Sequence, residues 1–290
     1  MKELGSVEQL SAALQAHGYV SDPALSMSLF LALKMKRPLF LEGAPGVGKT
    51  EVARVLSDMF EAELIRLQCY EGLDIHQALY EWNYRRQLLA LQADGAEGLK
   101  DIYSDAYLLK RPLLRAIDPE RERAPVLLID EIDRADEEFE SFLLELLSDF
   151  QVTIPEIGTI RARHRPIVIL TSNRTREVHD ALKRRCLYCW IDYPSFDKEM
   201  AILSMKVPGL SAGVKRQLVA AVQELRRQDL AKAPGVAETL DWAEALLELG
   251  ITELDSEVIR PTLGALLKSR EDIAYVEGQM DEGAWPAKAG

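Results

Sequence analysis

Cysteine is scarce: there are three in 290 residues, Cys69, Cys186 and Cys189. An odd, small number builds no disulfide framework, so a reducing compartment, the cytoplasm, is the expected location. Cys186 and Cys189 form one C-x-x-C, and no second pair or matching histidine pair completes the four ligands of a zinc site. A thioredoxin-like redox pair and two buried strand residues are the remaining readings; the apolar run CLYCWI around them favours the second. Long apolar runs are also missing. None reaches the ~20 residues of a membrane helix. MKELGSVEQL has no apolar h-region, so neither a span nor a secretory leader is expected. No internal repeat or low-complexity tract stands out. Positive charge is in deficit, with 35 Lys+Arg against 47 Asp+Glu leaving −12. That balance repels polyphosphate at long range and argues against non-specific nucleic-acid binding, a local basic patch aside.

What is present is ordinary for a globular chain: 48% apolar and 28% charged residues. At roughly 150 residues per domain the length suggests two domains. Residues 1–36 read as helices, with Pro23 as an entry signal. Five short apolar runs then read as strands: PLFLEG (38–43), ELIRLQ (63–68), PVLLID (125–130), PIVILTSN (166–173) and LYCWIDYP (187–194). Near-continuous apolar strands alternating with helical stretches predict a parallel sheet covered on both faces, an α/β core over 1–195. Beyond Pro194 helical periodicity takes over. Val214, Leu218, Val222 and Leu225 share one helix face; Leu240, Ala243 and Leu247 share another, with Gly250 as a C-terminal cap. Pro261 is expected to start a third helix carrying Leu263, Leu266 and Leu267. Residues 196–290 therefore read as a small all-helical domain whose tail, DEGAWPAKAG, is expected to fray. Between the second and third strands lies an insertion at about 74–120. Its DIHQALYEWNYRRQLLALQ reads as an aromatic-rich helix, either a packed excursion or a surface that touches a partner or neighbouring subunit.

GAPGVGKT (43–50) is G-x-x-x-x-G-K-[ST], preceded by a strand and followed by a helix. Gly43, Gly46 and Gly48 let the backbone wrap without Cβ clashes, so that N–H groups point at phosphate oxygens, with the helix N-terminus behind them. Gly43, Ala44, Pro45, Gly46, Val47, Gly48, Lys49, Thr50 and the following Glu51 are the expected nucleotide-binding set. Lys49 would reach the β- and γ-phosphates, and Thr50 would offer its hydroxyl to Mg²⁺. VLLIDEID (126–133) delivers Asp130 at the end of a strand, as a second Mg²⁺ contact through water, and then Glu131, a carboxylate able to polarise the attacking water. Asp133 and Arg134 read as a local ion pair, with a role at a subunit interface as the minority reading. TSN (171–173) ends the fourth strand; Asn173 is read as orienting the water or sensing the γ-phosphate, against an ordinary turn residue. In ALKRRC (181–186), Arg184 and Arg185 read either as an arginine reaching a neighbour's γ-phosphate or as a solvated basic turn.

In this order, GAPGVGKT, LLIDEID, ILTSN and LKRRC followed by a helical domain resemble an AAA+ ATPase. LLELLSDFQVTIPEIGTIRARHRPIVILTSN is similar to the MoxR branch, with VTIPEIGTI as a β-hairpin at about 152–160. LEGAPGVGKTEVA with QCYEGLDIHQALYEWNY is similar to the CoxD-like ATPases of carbon monoxide dehydrogenase gene clusters. The resemblance covers residues 20–280 or so. It implies a P-loop NTPase core with a five-stranded parallel sheet and a helical lid, using ATP and Mg²⁺ between the subunits of a hexameric ring. It also implies chaperone-like remodelling of a metalloenzyme client, with a von Willebrand factor A domain partner. For the subgroup the implied task is maturation of a molybdenum–copper hydroxylase. Helper ATPases of rubisco, nitric oxide reductase and magnesium chelatase share these motifs and supply the alternative. Tyr19, in HGYVSD, is carried over as an adenine-site residue, with an ordinary half-buried tyrosine as the other reading. One departure stands out. Where such lids carry a phosphate-sensing arginine, the matching stretch here is GVAETLDW (235–242), with Glu238 near that position; an acidic side chain repels phosphate. Two readings from other classes remain. RARHR (161–165) suits a DNA-contacting loop or a solvated basic loop, and the net charge favours the latter. A slow nucleotide-gated scaffold is the other, and the presence of Glu131 speaks against it.

Overall fold

The computed structural model describes residues 4–98, 102–283 and 285; of the tail DEGAWPAKAG, residues 284 and 286–290 lie outside the described residues. Trp285, expected to fray with that tail, is instead buried among the C-terminal helices, because its indole takes a place in their core. By contact density the chain forms two compact units. One takes the chain up to His17, then Asp22–Glu42 and Thr50–Trp190; the other takes Gly18–Ser21, Gly43–Lys49 and the chain from Ile191 onward.

The first unit opens with helices α1 (Val7–Ala16) and α2 (Pro23–Met35). Ser6 caps α1 by accepting from the Gln9 N–H, and Pro23 starts α2, where its missing N–H costs nothing. Strand β1 (Leu39–Gly43), helix α3 (Lys49–Phe60) and strand β2 (Leu64–Gln68) follow. Next come α4 (Ile75–Ala78), β3 (Tyr80–Trp82), α5 (Tyr84–Gly98), β4 (Leu108–Lys110) and α6 (Pro112–Ala116). The aromatic-rich stretch expected to run on as helix is thus broken at Tyr80–Trp82, which pairs antiparallel with Leu108–Lys110. The physical reason is a non-local partner: cross-strand pairing satisfies the backbone of a short Tyr-Glu-Trp segment of high β-propensity.

The core resumes with β5 (Val126–Asp130), α7 (Glu137–Asp149), the hairpin β6 (Gln151–Ile154) and β7 (Gly158–Arg161), then β8 (Ile167–Ser172), α8 (Asp180–Arg185) and β9 (Leu187–Ile191). The five-stranded sheet has the order β2-β5-β8-β1-β9, and the ladders β1–β8, β2–β5 and β5–β8 are parallel. Interior strands β1 and β5 are buried at every position, which is why they read as unbroken apolar runs. Edge strand β9 alternates instead, with Tyr188 49% and Trp190 43% exposed. The CLYCWI run is therefore half solvent-facing, although Cys186 and Cys189 are both buried and not joined in a disulfide. Burial pushes the thiols of Cys69 and Cys186 up to about 12, which makes both poor nucleophiles.

In the second unit, helices α9 (Phe196–Lys206), α10 (Ala212–Leu225), α11 (Val236–Glu248), α12 (Ser256–Leu266) and α13 (Arg270–Asp281) pack around Trp242, Leu218, Val222 and Leu263. Two expectations are corrected here. The buried face of α11 is Val236, Thr239, Trp242, Ala243 and Leu246, while Leu247 is exposed. The large indole at 242 takes the core and turns the helix by about one residue. Pro261 lies inside α12, not at its start, because Asp255 already caps the helix by accepting from the Val258 N–H. Gly250, at positive φ, follows the end of α11, and the N–H of Ile251 closes onto the carbonyl of Leu246.

Candidate active site

The loop Gly43–Lys49 leaves β1 and leads into α3. Gly43 is hemmed in: a Cβ there would fall 2.0 Å from the Ile191 carbonyl oxygen. Gly46 adopts φ +74°, a left-handed backbone that glycine enters freely. Ala44 is half-buried, Pro45 exposed and Val47 buried. Lys49 is 6% exposed, and its ammonium donates to the carbonyls of Gly43 and Ala44, both at 2.7 Å. Those bonds fold the loop around one cation. Tyr19 is buried beside it, with its ring edge 3.9 Å from where a Cβ on Gly48 would lie.

The loop is also gripped by α11. The N–H groups of Val236 and Ala237 donate to the Gly46 carbonyl at 2.9 and 3.3 Å. A Cβ on Gly235 would sit 2.8 Å from the Gly46 Cα, so only glycine fits there. Glu238 accepts from the Gly235 N–H at 3.0 Å. One of its carboxylate oxygens lies 3.0 Å from a Cβ position on Gly46, and the Lys232 ammonium is 3.9 Å from the other. The acidic residue thus caps its helix directly over the loop.

Thr50 follows Lys49 in α3, and its hydroxyl donates to Asp130 Oδ1 at 3.0 Å. Asp130 is 3% exposed. It also accepts from Thr171 Oγ1 at 2.5 Å and from the Arg66 guanidinium at 2.6 Å. Arg66 lies outside the motifs, and Thr171 opens TSN without a role assigned to it from sequence. Their signals were local: a hydroxyl two residues before Asn173, and a lone arginine in the apolar strand ELIRLQ. Glu51 pairs with Arg54 along α3.

Glu131 stands in left-handed backbone at φ 55, ψ 50. Its N–H donates to Thr171 Oγ1 at 3.0 Å, and its carboxylate accepts from Asn173 Nδ2 at 3.3 Å and Arg134 Nε at 3.0 Å. Asp133 and Arg134 therefore do not pair with each other, because the turn after β5 aims them apart. Asp133 turns inward and accepts from the backbone of Asn173 and from both the N–H and hydroxyl of Thr175. Burial raises its carboxyl, but these donors outweigh it and hold the group below the usual carboxylate range. A cleft of about 520 Å³ opens here, lined by Glu71, Asp133, Arg134, Asp136, Thr175 and Arg176.

Arg184 and Arg185 end α8, and both are exposed. Arg185 Nε donates to Ser148 Oγ at 2.7 Å, while among the described residues the Arg184 guanidinium has no such tie. Arg37, also unnamed by the motifs, holds the end of this helix by donating to the carbonyls of Arg184 and Arg185.

The donor set suits nucleotide phosphates and Mg²⁺. A glycine loop closed on lysine is an anion cradle. One hydroxyl and one carboxylate are the hard oxygen donors that Mg²⁺ takes from protein when phosphates and water complete its shell. Among the described residues, no three His, Cys, Asp or Glu side chains come together as a full metal cage.

Residues 38–186, just over half the chain, match the AAA domain (dynein-related subfamily). Chaperone protein ClpB of Chlamydia muridarum is 26% identical over 227 residues, 75% of this chain and 22% of that protein. Chaperone protein ClpB 1 of a Nostoc species is 28% identical over 172 residues, 58% of this chain and 16% of that one. The chain thus spans about a fifth or less of the length of these relatives. A mutant of RuvB from Thermotoga maritima superposes with a TM-score of 0.52 at 15% identity, covering 99% of this chain and 82% of that one. A second RuvB mutant gives 0.51 at 14%, with the same coverage; at such identities the likeness shows the fold alone. With its glycine loop, five-stranded sheet and C-terminal helices, this chain belongs to the AAA domain family, dynein-related subfamily.

Proposed function

We propose that the chain hydrolyses ATP and uses the cycle to remodel a protein client, with residues 1–195 as its nucleotide-binding core and 196–290 as a lid. The observation that carries this reading is the linked set Thr50–Asp130–Thr171 and Asn173–Glu131, entered directly from a lysine-closed glycine loop. ATP·Mg²⁺, when bound, supplies the phosphoanhydride to be cleaved and a Lewis acid. Lys49 and the backbone N–H groups of residues 43, 44 and 46–48 bind and neutralise phosphate charge. Thr50 and Asp130 offer oxygens to the metal. Tyr19 offers a ring to the base. Glu131, oriented by Asn173, takes a proton from water at a carboxylate oxygen. Arg134 occupies that carboxylate in this arrangement, so the base works once the ion pair opens. Arg184 or Arg185 completes the site of a neighbouring subunit, with Arg184 the better candidate because Ser148 holds Arg185.

The finer assignment rests on the motifs. The MoxR-like hairpin segment and the CoxD-like stretches support a ring, probed as a hexamer, that acts with a von Willebrand factor A domain partner. In this reading its client is a molybdenum–copper hydroxylase undergoing metal-cofactor maturation. ClpB-type relatives, being chaperones by name, support the remodelling class.

The test is ATP turnover per subunit against protein concentration, for wild type, Glu131→Gln and the double variant Arg184→Ala plus Arg185→Ala. Glu131→Gln is expected to lose about 10²–10⁴-fold in turnover while still binding ATP. The double arginine variant is expected to lose about 10³-fold or more and to bind ATP normally, with the wild-type rate rising with concentration. A flat concentration profile indifferent to both arginines would overturn the shared-site reading, and full turnover in Glu131→Gln would remove Glu131 as the base.

A further inference from the structure

The RARHR segment left unused by the nucleotide site forms one wall of a groove of about 400 Å³. The groove lies among the C-terminal half of α2, residues 161–166 and the start of β8. Leu29, Ala32, Leu33 and Ile167 give it an aliphatic lining. Lys36, Arg37, Arg161, Arg163 and Arg165 add five cations, with His164 among them. Among the described residues none of the five has a carboxylate within ion-pair distance. Two are held in place by other means: Arg37 by the carbonyls at the end of α8, and Arg165 over the Phe150 ring at 5.4 Å. Lys36 extends from a left-handed C-cap of α2.

Five uncompensated cations on a chain of net charge −12 are a local reversal of sign. Their neighbours are aliphatic, and no Phe, Tyr or Trp ring lines the groove for a base to stack on. The acidic remainder of the surface would repel any polyanion longer than the groove. The volume falls within the ~300–1,000 Å³ range of built ligand sites. We infer that this groove docks a short acidic peptide segment of a partner protein, its carboxylates on Arg161, Arg163 and Arg165 and its aliphatic side chains against the partly exposed Leu33 and Ile167. The inference does not depend on the hydrolysis reading, since none of these residues belongs to the nucleotide site.

The probe is a short fluorescein-labelled peptide alternating Glu and Leu, titrated with the full chain and followed by anisotropy. Saturable binding is expected, weakened about ten-fold in the double variant Arg161→Glu plus Arg163→Glu and abolished when Gln replaces Glu in the peptide. ATP turnover without peptide should stay at the wild-type rate in that variant. If the double variant fails to fold, Arg163→Glu alone, on the exposed loop, is expected to weaken binding about three-fold. The inference is overturned by an absence of saturable binding or by equal affinity in the charge-reversed chain. It is equally overturned if oligothymidylate of the same charge binds more tightly through the same arginines, which would make the groove a nucleic-acid surface.

Discussion

Glu131 keeps a left-handed backbone that costs a non-glycine residue about 1–2 kcal/mol. The surrounding bonds, from its N–H to Thr171 and from Asn173 to its carboxylate, over-determine that conformation. Asp133 two residues on is a support, not a reactant. Its carboxyl titrates below its unfolded value because Thr175 and Asn173 donate to the ionised form. Its stabilisation is therefore complete above the unfolded value near 4 and is lost as pH falls through the folded one. Asp133→Asn should lower stability at pH 7 and show a shallower loss than wild type between about pH 5 and 2, read from denaturant midpoints at each pH. An equal slope would mean that Asp133 contributes nothing pH-dependent. Glu238 gives the opposite kind of test. Its charge lies over Gly46, while its cap needs only an acceptor oxygen. Glu238→Gln should keep the cap and tighten ATP roughly three- to ten-fold, read by fluorescent-nucleotide titration. Unchanged or weaker binding would mean that the carboxylate does not oppose phosphate.

Among the elements, the C-terminal helices are tied by one buried ion pair. Arg226 makes two bonds of 2.7 Å to Glu199, which also accepts from Thr239 and Gln223, and the Tyr193 ring lies 4.9 Å from the guanidinium. That joins α9, α11 and the end of α10. The same α11 holds Gly46 through two N–H groups. Removing one partner leaves a buried charge unpaired, so Glu199→Ala should cost about 3–5 kcal/mol in thermal or denaturant unfolding. A loss below about 1 kcal/mol would show the pair to be well solvated. Elements also account for what periodicity misread. The tripeptide Tyr80–Trp82 lies inside a helical pattern, and only its partner strand, Leu108–Lys110, tells the two states apart. In α12 the capping aspartate, not Pro261, marks the start.

At the scale of the whole molecule, carboxylates at the sheet end are met by cations, Asp130 by Arg66 and Glu131 by Arg134, while the groove cations have no carboxylate beside them among the described residues. The acidic pair Asp130–Glu131 ends β5, whereas the basic groove gathers α2, residues 161–166 and the start of β8. The net charge of −12 conceals that reversal, because a sum carries no position. No helix among the described residues is long and apolar enough to cross a membrane.

The fold class was legible in the amino-acid order because parallel strands buried on both faces are mainly apolar, as β1 and β5 are up to the carboxylates Glu42 and Asp130 near their C-terminal ends. So was the grouping of Lys49, Thr50, Asp130, Glu131 and Asn173 as candidates, since each follows directly from a strand end or a glycine turn, which are local features. The helical character of the C-terminal region was equally local. Arg66 reaching Asp130, Arg37 holding the end of α8, Arg134 taking Glu131 instead of Asp133, and Gly235 against Gly46 were decided only by the tertiary structure. Each of these contacts depends on strand order or on the direction of a turn. Those are settled by packing across many residues, and no spacing along the chain records them.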